Sequence, residues 1–446
     1  MNFNIKEIDT RLNPLEVYNI FKNEKDTIFL DSSKEDSKLS KYSFIGINPF
    51  LNFYSQGNKS YINDLEVHGE PFEVLEELIK KFKIEVESEL PLLSGCMGYI
   101  SYDTGRILET LPNTTTEDFQ IPDMKFIFYN NIIIFDMIEG KVFITDLGIE
   151  TNRITQIESK ISNGTNVLEE KVKIKNNKFY SNFTKEEYKK AVSKLKDYIV
   201  CGDVYIANMT QRFYCESDDD SFEIYKRLRT INKAPFSAFM NFEDFQVISS
   251  SPERFIQIKE GRVHTRPIKG TRPRGENKED DDRNKEELLN SEKDKAELLM
   301  VVDLERNDLS KVCKPHSVKV TELFKLEEYA TVFHLVSTVE GVLKENVSAI
   351  KCIKECFPGG SITGTPKIRA MEIIEELERL KRNIYTGSIG YFDFRGNADF
   401  NIVIRTIVKK DNKAYFGVGG GITYDSIEED EYNETLDKAK ALMRVL

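Results

Sequence analysis

What most constrains the fold is the order of strand-like and helical stretches. Residues 124–147, MKFIFYNNIIIFDMIEGKVFITDL, hold two apolar runs that meet at Glu139-Gly140. That is the pattern of an antiparallel hairpin. Shorter β-like runs, DTIFLDSS (26–33) and YSFIGINPFLNFYS (42–55), precede it. A helical stretch, PFEVLEELIKKFKIEVE (71–87), lies between them and the hairpin. Residues 150–180 are polar and read as a connection. A helix then starts at a capping box of Thr184 and Glu187 and carries Tyr188, Ala191, Val192, Leu195 and Ile199 on one stripe. Residues 204–270 are β-rich, and a long helix covers about 292–304. AMEIIEELERLKR (370–382) continues the helical pattern. GSIGYFDF (387–394) and FNIVIRTIVKK (400–410) follow as strands turning at Arg395-Gly396, then KAYFGVGGGITYD (413–425) and a last helix over 428–446. Strands and helices mix with no regular βαβ rhythm. The expectation is α+β with largely antiparallel sheets, with regions 1–155 and 180–446 as the two domains.

At 446 residues the chain can bury a large core. Its net charge of −12 argues against nucleic acid or an anionic membrane as partner. Any anion must be held by a local group of cations. MNFNIKEIDTRL lacks the apolar core of a signal peptide, and no apolar run approaches the roughly 18 residues a membrane span needs. The six cysteines are scattered without a CxxC pair, and there are only four histidines, so a zinc constellation is not expected. The reading is a cytoplasmic protein.

Local clusters carry the chemistry. TRPIKGTRPRG (265–275) places Lys269 between Arg266 and the pair Arg272 and Arg274. This is either an exposed basic loop or a set of cations gathered at an anion. FPGGSITGTPK (357–367) lacks the Gly-Lys-Ser/Thr ending of a P-loop, and FGVGGGI (416–422) has Ile422 where GxGxxG needs glycine. Gly419, Gly420 and Gly421 then read either as bare backbone that cradles a carboxylate or as a tight strand packing. Glu431 and Glu434 share a helix face, and Glu297 sits where another helix turns apolar. They form a solvated face or, with no histidine near, a site for a hard cation such as Mg²⁺. GENKEDDDRNKEELLNSEKDKAE (275–297) reads as a solvated loop entering a helix, or as a flap over a site.

Taken together, SSSPERF (249–255), TRPIKGTRPRG, KAELLMVVDLERNDLSKVC (295–313), FHLVSTVEG (333–341), FPGGSITGTPKIRAME (357–372), YTGSIGYF (385–392), NIVIRT (401–406) and GVGGGITYDS with EYNET (417–435) resemble the chorismate-utilising enzymes. The family includes anthranilate synthase large subunits, aminodeoxychorismate synthase component I, and isochorismate and salicylate synthases. The resemblance is strong over 180–446, while FLDSS (29–33) and SGCMGYISYD (94–103) are similar to the N-terminal half of the first two. It implies an anthranilate synthase component I-like two-domain sandwich with large, mostly antiparallel packed sheets. It also implies chorismate as substrate and Mg²⁺ as cofactor. Glu297, Glu431 and Glu434 would hold the metal. Tyr385, Arg405 and the Gly419–Gly421 N–H groups would hold the enolpyruvyl carboxylate, with Gly270 and Thr271 lining the ring pocket. Glu253 would be the general acid, and His334 would assist near the ring. Ser32 and Pro235 would border a candidate tryptophan pocket.

Within the family, PIKGT at 267–271 is similar to aminodeoxychorismate synthases, whereas anthranilate synthases usually read PIAGT. Lys269 would then be a nucleophile. An ordinary lysine is about 0.04% neutral at pH 7, a cost of about 4.6 kcal/mol. Burial and neighbouring cations lower that cost, and Arg266, Arg272, Arg274 and the metal are the candidates. KAPFSAFMNF (233–242) supports the same branch. Isochorismate and salicylate synthases carry a water-activating lysine at the position of Ile206, and many amine-transferring relatives carry glutamine there. Asn208 or Gln211 would compensate. Ammonia would come from a separate glutamine amidotransferase subunit. The alternatives are an anthranilate synthase large subunit and a non-enzymatic chorismate sensor.

Overall fold

The computed structural model describes residues 2–33, 38–165, 177–328 and 332–446. Its strands form two antiparallel layers joined by two long strands, Tyr42–Gln56 and Met124–Asp136, which pair with each other along their whole length. Ile28 to Leu30 pair with the first part of Tyr42–Gln56, and Lys141–Asp146 pairs with the second part of Met124–Asp136. The hairpin turn falls at 137–140, where the Asp136 carboxylate accepts from Ile138 N and Glu139 N at 3.1 and 3.0 Å.

The first layer runs on from Thr27–Asp31 through Phe236–Asn241, Gln246–Ser251, Thr406–Lys410 and Lys413–Ile422 to Ile206–Glu216. The second runs from Met124–Asp136 through Gly95–Ile100, Ser388–Asp393, Ala398–Asn401, Arg254–Lys259 and Arg262–Arg266 to Val332–Val342. Each layer therefore takes strands from both 1–155 and 180–446. First-layer strands are apolar on both faces. Ile28, Ile134 and Val247 point into the core shared with the second layer, while Phe29, Ile133 and Ile248 pack under helices Pro14–Phe21, Ile154–Ser162, Ser221–Ile231 and Glu428–Val445. That double burial is why these strands read as continuous apolar runs.

Several elements differ from the sequence reading. The acidic stretch expected as a loop is a helix, Lys278–Asn290, which buries only Leu288. Its stability is local: Asn277 Oδ1 accepts from Asp280 N at 3.0 Å, and Glu279, Asp280 and Asp281 face the positive end of the dipole. Periodicity missed it because its apolar stripe is one residue wide. The next helix runs Glu292–Val312, two turns beyond the expected end. The helix expected over 370–382 is Lys367–Leu377. FNIVIRTIVKK is not one strand but two, Ala398–Asn401 in the second layer and Thr406–Lys410 in the first, with the chain crossing at 402–405. Gln246–Ser251 and Arg254–Lys259 make a parallel crossing at Pro252-Glu253. Of the connection over 150–180, Ile154–Ser162 is helical, and 166–176 lie outside the described residues. The Thr184–Glu187 capping box is present, with Thr184 N donating to Glu187 Oε2 at 2.9 Å.

Candidate functional site

The chain crossing at Pro252-Glu253 delivers Glu253 to the place where the layers meet, and the neighbouring crossing bonds back to it through Ile402 N to Glu253 O at 3.0 Å. Strand Ile268–Pro273 brings Lys269 to the same place. Lys269 pairs with Leu335 and Thr271 with His334, so Gly270 is bulged out of register. Its φ is +74°, and a Cβ there would stand 2.8 Å from Leu288 Cδ1 and 2.9 Å from Asp294 Cγ. Glycine is required on both counts. Lys269 Nζ donates to Ser361 O at 3.0 Å. Glu253 accepts from Ile268 N at 3.3 Å and is 5% exposed. Burial raises the Glu253 pKa, and the Lys269 charge and the Ser361 hydroxyl only partly offset it.

The glycine triplet forms the facing wall. A Cβ at Gly421 would lie 3.0 Å from Ile206 Cδ1 and 3.8 Å from Lys269 Nζ. One at Gly420 would lie 3.3 Å from Glu431 Oε2 and 3.4 Å from Glu434 Oε1. Side chains here would fill the space between the lysine and the carboxylates. On one edge Gly419, Gly420 and Gly421 pair with Thr210, Met209 and Asn208. The Thr406–Lys410 ladder ends at Tyr415, so among the described residues no strand takes the other edge, as a backbone cradle requires.

Glu297 feels the Glu431 charge across two helices, which spacing along the sequence could not show. Burial raises Glu297, whose neighbours include Lys269 and Glu431. Burial also raises Glu431, against a 2.6 Å bond from Ser426 Oγ, with the Glu434 charge adding to the rise. Burial opposes the Glu434 charge too, but Lys438 at 2.6 Å outweighs it and the pKa falls. Among the described residues no three carboxylate, imidazole or thiolate groups stand close enough to grip an ion as placed, and the Lys438 ammonium supplies the balancing charge at Glu434. The donor set fits a hard cation in kind: it is oxygen only, Glu431 is buried, and the Glu434 charge repels it.

Other expectations are corrected. The three arginines do not form a cationic ring around Lys269. Arg266 is held by Glu327, Arg272 by Glu287 and Asp294, and Arg274 by Asp281. The charges that Lys269 faces are the carboxylates of Glu253, Glu297 and Glu434. Gln211 is committed elsewhere, accepting from Ser181 Oγ at 2.7 Å and donating to Thr435 Oγ1 at 2.6 Å.

Arg405 lies at the 402–405 crossing with φ +51° and donates to Asn232 Oδ1 at 2.7 Å. Burial alone pulls its pKa below the usual arginine value, and no described carboxylate pairs with it. The Tyr385 ring lies against Gly417, where a Cβ would fall 2.4 Å from it, two residues along the strand from Gly419. His334 Nδ1 is 2.9 Å from Thr271 Oγ1. Ser32 Oγ donates to Pro235 O at 3.3 Å, and both border a cavity of about 440 Å³ shared with Tyr42, Arg254, Tyr391 and Asp399.

Sequence reasoning missed Asp294, Ser361 and Lys438. Asp294 was within reach: it stands three residues before Glu297, the spacing of Glu431 and Glu434.

Two packed antiparallel layers carry a site of a part-buried lysine, bare glycine backbone and carboxylates. A family profile for chorismate binding enzymes matches residues 25–444. Anthranilate synthase component 1 of Acetivibrio thermocellus is 36% identical over 97% of this chain and 92% of that protein. Aminodeoxychorismate synthase component 1 of Escherichia coli K12 is 37% identical over 94% and 93%. The crystal structure of anthranilate synthase component I from Streptococcus pneumoniae TIGR4 superposes with a TM-score of 0.84 at 32% identity, over 92% of this chain and 93% of that one. The chain belongs to the chorismate-binding enzyme family. Among the described residues no helix is long and apolar enough to cross a membrane.

Proposed function

We propose that the chain is an aminodeoxychorismate synthase component I. It would convert chorismate and ammonia to 4-amino-4-deoxychorismate for 4-aminobenzoate and folate synthesis. One observation carries this: a lysine amine, Lys269, faces the bare backbone of Gly421 and lies beside the buried acid Glu253. In this reading Arg405, a part-buried cation that pairs with no carboxylate among the described residues, takes the enolpyruvyl carboxylate with Tyr385 and the Gly419–Gly421 backbone. Gly270 and Thr271 line the ring pocket, and His334 orients Thr271.

Glu253 gives its proton to the departing C4 hydroxyl, which leaves as water. Lys269, after its ammonium proton has passed to solvent, bonds to C2 through the freed amine as that C4–O bond breaks. Ammonia then bonds to C4, and the C2–N bond to Lys269 breaks with its electron pair returning to the lysine. Glu253 recovers a proton from the new C4 ammonium. The double displacement leaves nitrogen where oxygen was.

Glu297, Glu431 and Glu434 would hold Mg²⁺. When bound, the ion supplies positive charge for the ring carboxylate. A partner glutamine amidotransferase would supply ammonia; relatives on both branches are named as component 1. The cavity at Ser32 and Pro235, with its tyrosine rings and the Arg254 guanidinium, suits a bound tryptophan. The second reading is anthranilate synthase component I, since relatives of that name are as similar as aminodeoxychorismate synthases. Incubation with chorismate, Mg²⁺ and ammonium salt separates the two. The proposal expects 4-aminobenzoate only after 4-amino-4-deoxychorismate lyase is added. Fluorescent anthranilate formed without the lyase would contradict it.

A further inference from the structure

The chemistry above requires something to hold ammonia against the ring. Ile206, which stands with Lys269 over the bare Gly421 backbone, has no polar atom. Two polar neighbours on the same strand were candidates, and the structure separates them. Gln211 spends both ends of its amide on Ser181 and Thr435. Asn208 has both backbone groups engaged: its N donates to Thr363 O at 2.7 Å and its O accepts from Arg382 Nη2 at 2.6 Å. Asn208 is 8% exposed, and its Oδ1 is buried with no hydrogen-bond partner among the described residues. A buried acceptor left unpaired is costly, and a strand pinned on both sides cannot turn away to relieve it.

The register places this acceptor. Asn208 pairs directly with Gly421, and paired residues share a face of the sheet. That face of Gly421 looks onto Ile206 Cδ1 and Lys269 Nζ. Asn208 and Ile206 are two apart on one strand, so they too share it.

We propose that Asn208 Oδ1 is the acceptor that holds the incoming ammonia, with Ile206 as its apolar neighbour. This rests on the amination reading above. Ammonia has three N–H donors and one lone pair. A carbonyl that accepts one N–H leaves the lone pair free to point away, toward the ring. A neutral amide favours ammonium over ammonia far less than a carboxylate would, and a carboxylate at this position would hold the unreactive cation. Ile206 offers no base to activate a competing water.

The test varies ammonium salt at fixed chorismate and Mg²⁺, with added lyase and 4-aminobenzoate as the readout. Asn208→Val is expected to raise KM for ammonia by at least about tenfold, the loss of one hydrogen bond. KM for chorismate should stay within about twofold, a change worth less than one hydrogen bond. Its thermal midpoint should hold or rise, because an unpaired buried acceptor has gone; a merely structural asparagine would give a lower one. If Asn208→Val does not fold, the equal-shaped Asn208→Asp decides. It is expected to lower KM for total ammonium while kcat falls at least about tenfold, again one charge-assisted bond. An unchanged ammonia KM in folded Asn208→Val, or unchanged kcat and KM in Asn208→Asp, would overturn the assignment and leave the parent reading standing. A wild-type protein that binds chorismate yet aminates nothing at any ammonia concentration would sink the parent reading, and this inference with it.

Discussion

Glu253 is pulled two ways by its surroundings: burial favours the neutral acid, and the Lys269 charge favours the carboxylate. Burial wins, so the group stays protonated to higher pH than an exposed glutamate. A general acid works only in its protonated form. Activity should therefore fall as pH rises through the raised Glu253 value, and it should fall on the acid side as well, because the reaction consumes a free lysine amine and free ammonia. Glu253→Gln should cost about 10²–10⁴ in kcat and remove that alkaline limb; a kcat/KM profile against pH checks both. A variant that keeps the limb would show that another group is the acid. At this scale much was legible. Glu431 and Glu434 could be picked out by their spacing on one helix face and Lys269 by its place in a basic run, whereas Glu253 came only from the family resemblance. The partners were not. Glu327 and Glu287 are far from Arg266 and Arg272 in sequence, so nothing before the fold was seen could show that those arginines were already neutralised.

Elements turned out less legible than residues where the chain changes layer. NIVIRT has the composition of one strand, and nothing local marks the crossing at 402–405 that aims Arg405. The capping box at Thr184 was readable because its two hydrogen bonds are local. The Lys278–Asn290 helix was not, because its packing rests on Leu288 meeting Gly270 from another element. That contact yields a prediction. Gly270→Ala would force a side chain into φ +74° and against Leu288 and Asp294. It should cost about 1–3 kcal/mol of stability. Activity should fall by more than stability explains, since the bulge aims Lys269. Denaturant unfolding and kcat on the same preparation check this; wild-type values in both would show that the bulge is not needed.

Across the whole molecule, the parts before residue 155 and after residue 180 share both layers. Thr27–Asp31 pairs with Phe236–Asn241, and Gly95–Ile100 pairs with Ser388–Asp393. Composition suggested a division near 155–180, but strand pairing over such sequence distances leaves no local mark. A fragment of residues 180–446 should therefore fail to fold alone, because two strand edges and much of the shared core would be open. Circular dichroism and solubility of the fragment test this; a cooperative melt would contradict it. The account as a whole turns on Lys269 as nucleophile, so the most direct measurement is the product made by Lys269→Ala from chorismate and ammonium salt with Mg²⁺ and the lyase. The account predicts loss of 4-aminobenzoate, with any remaining amination diverted to C2 as anthranilate. Production of 4-aminobenzoate at the wild-type rate would contradict it.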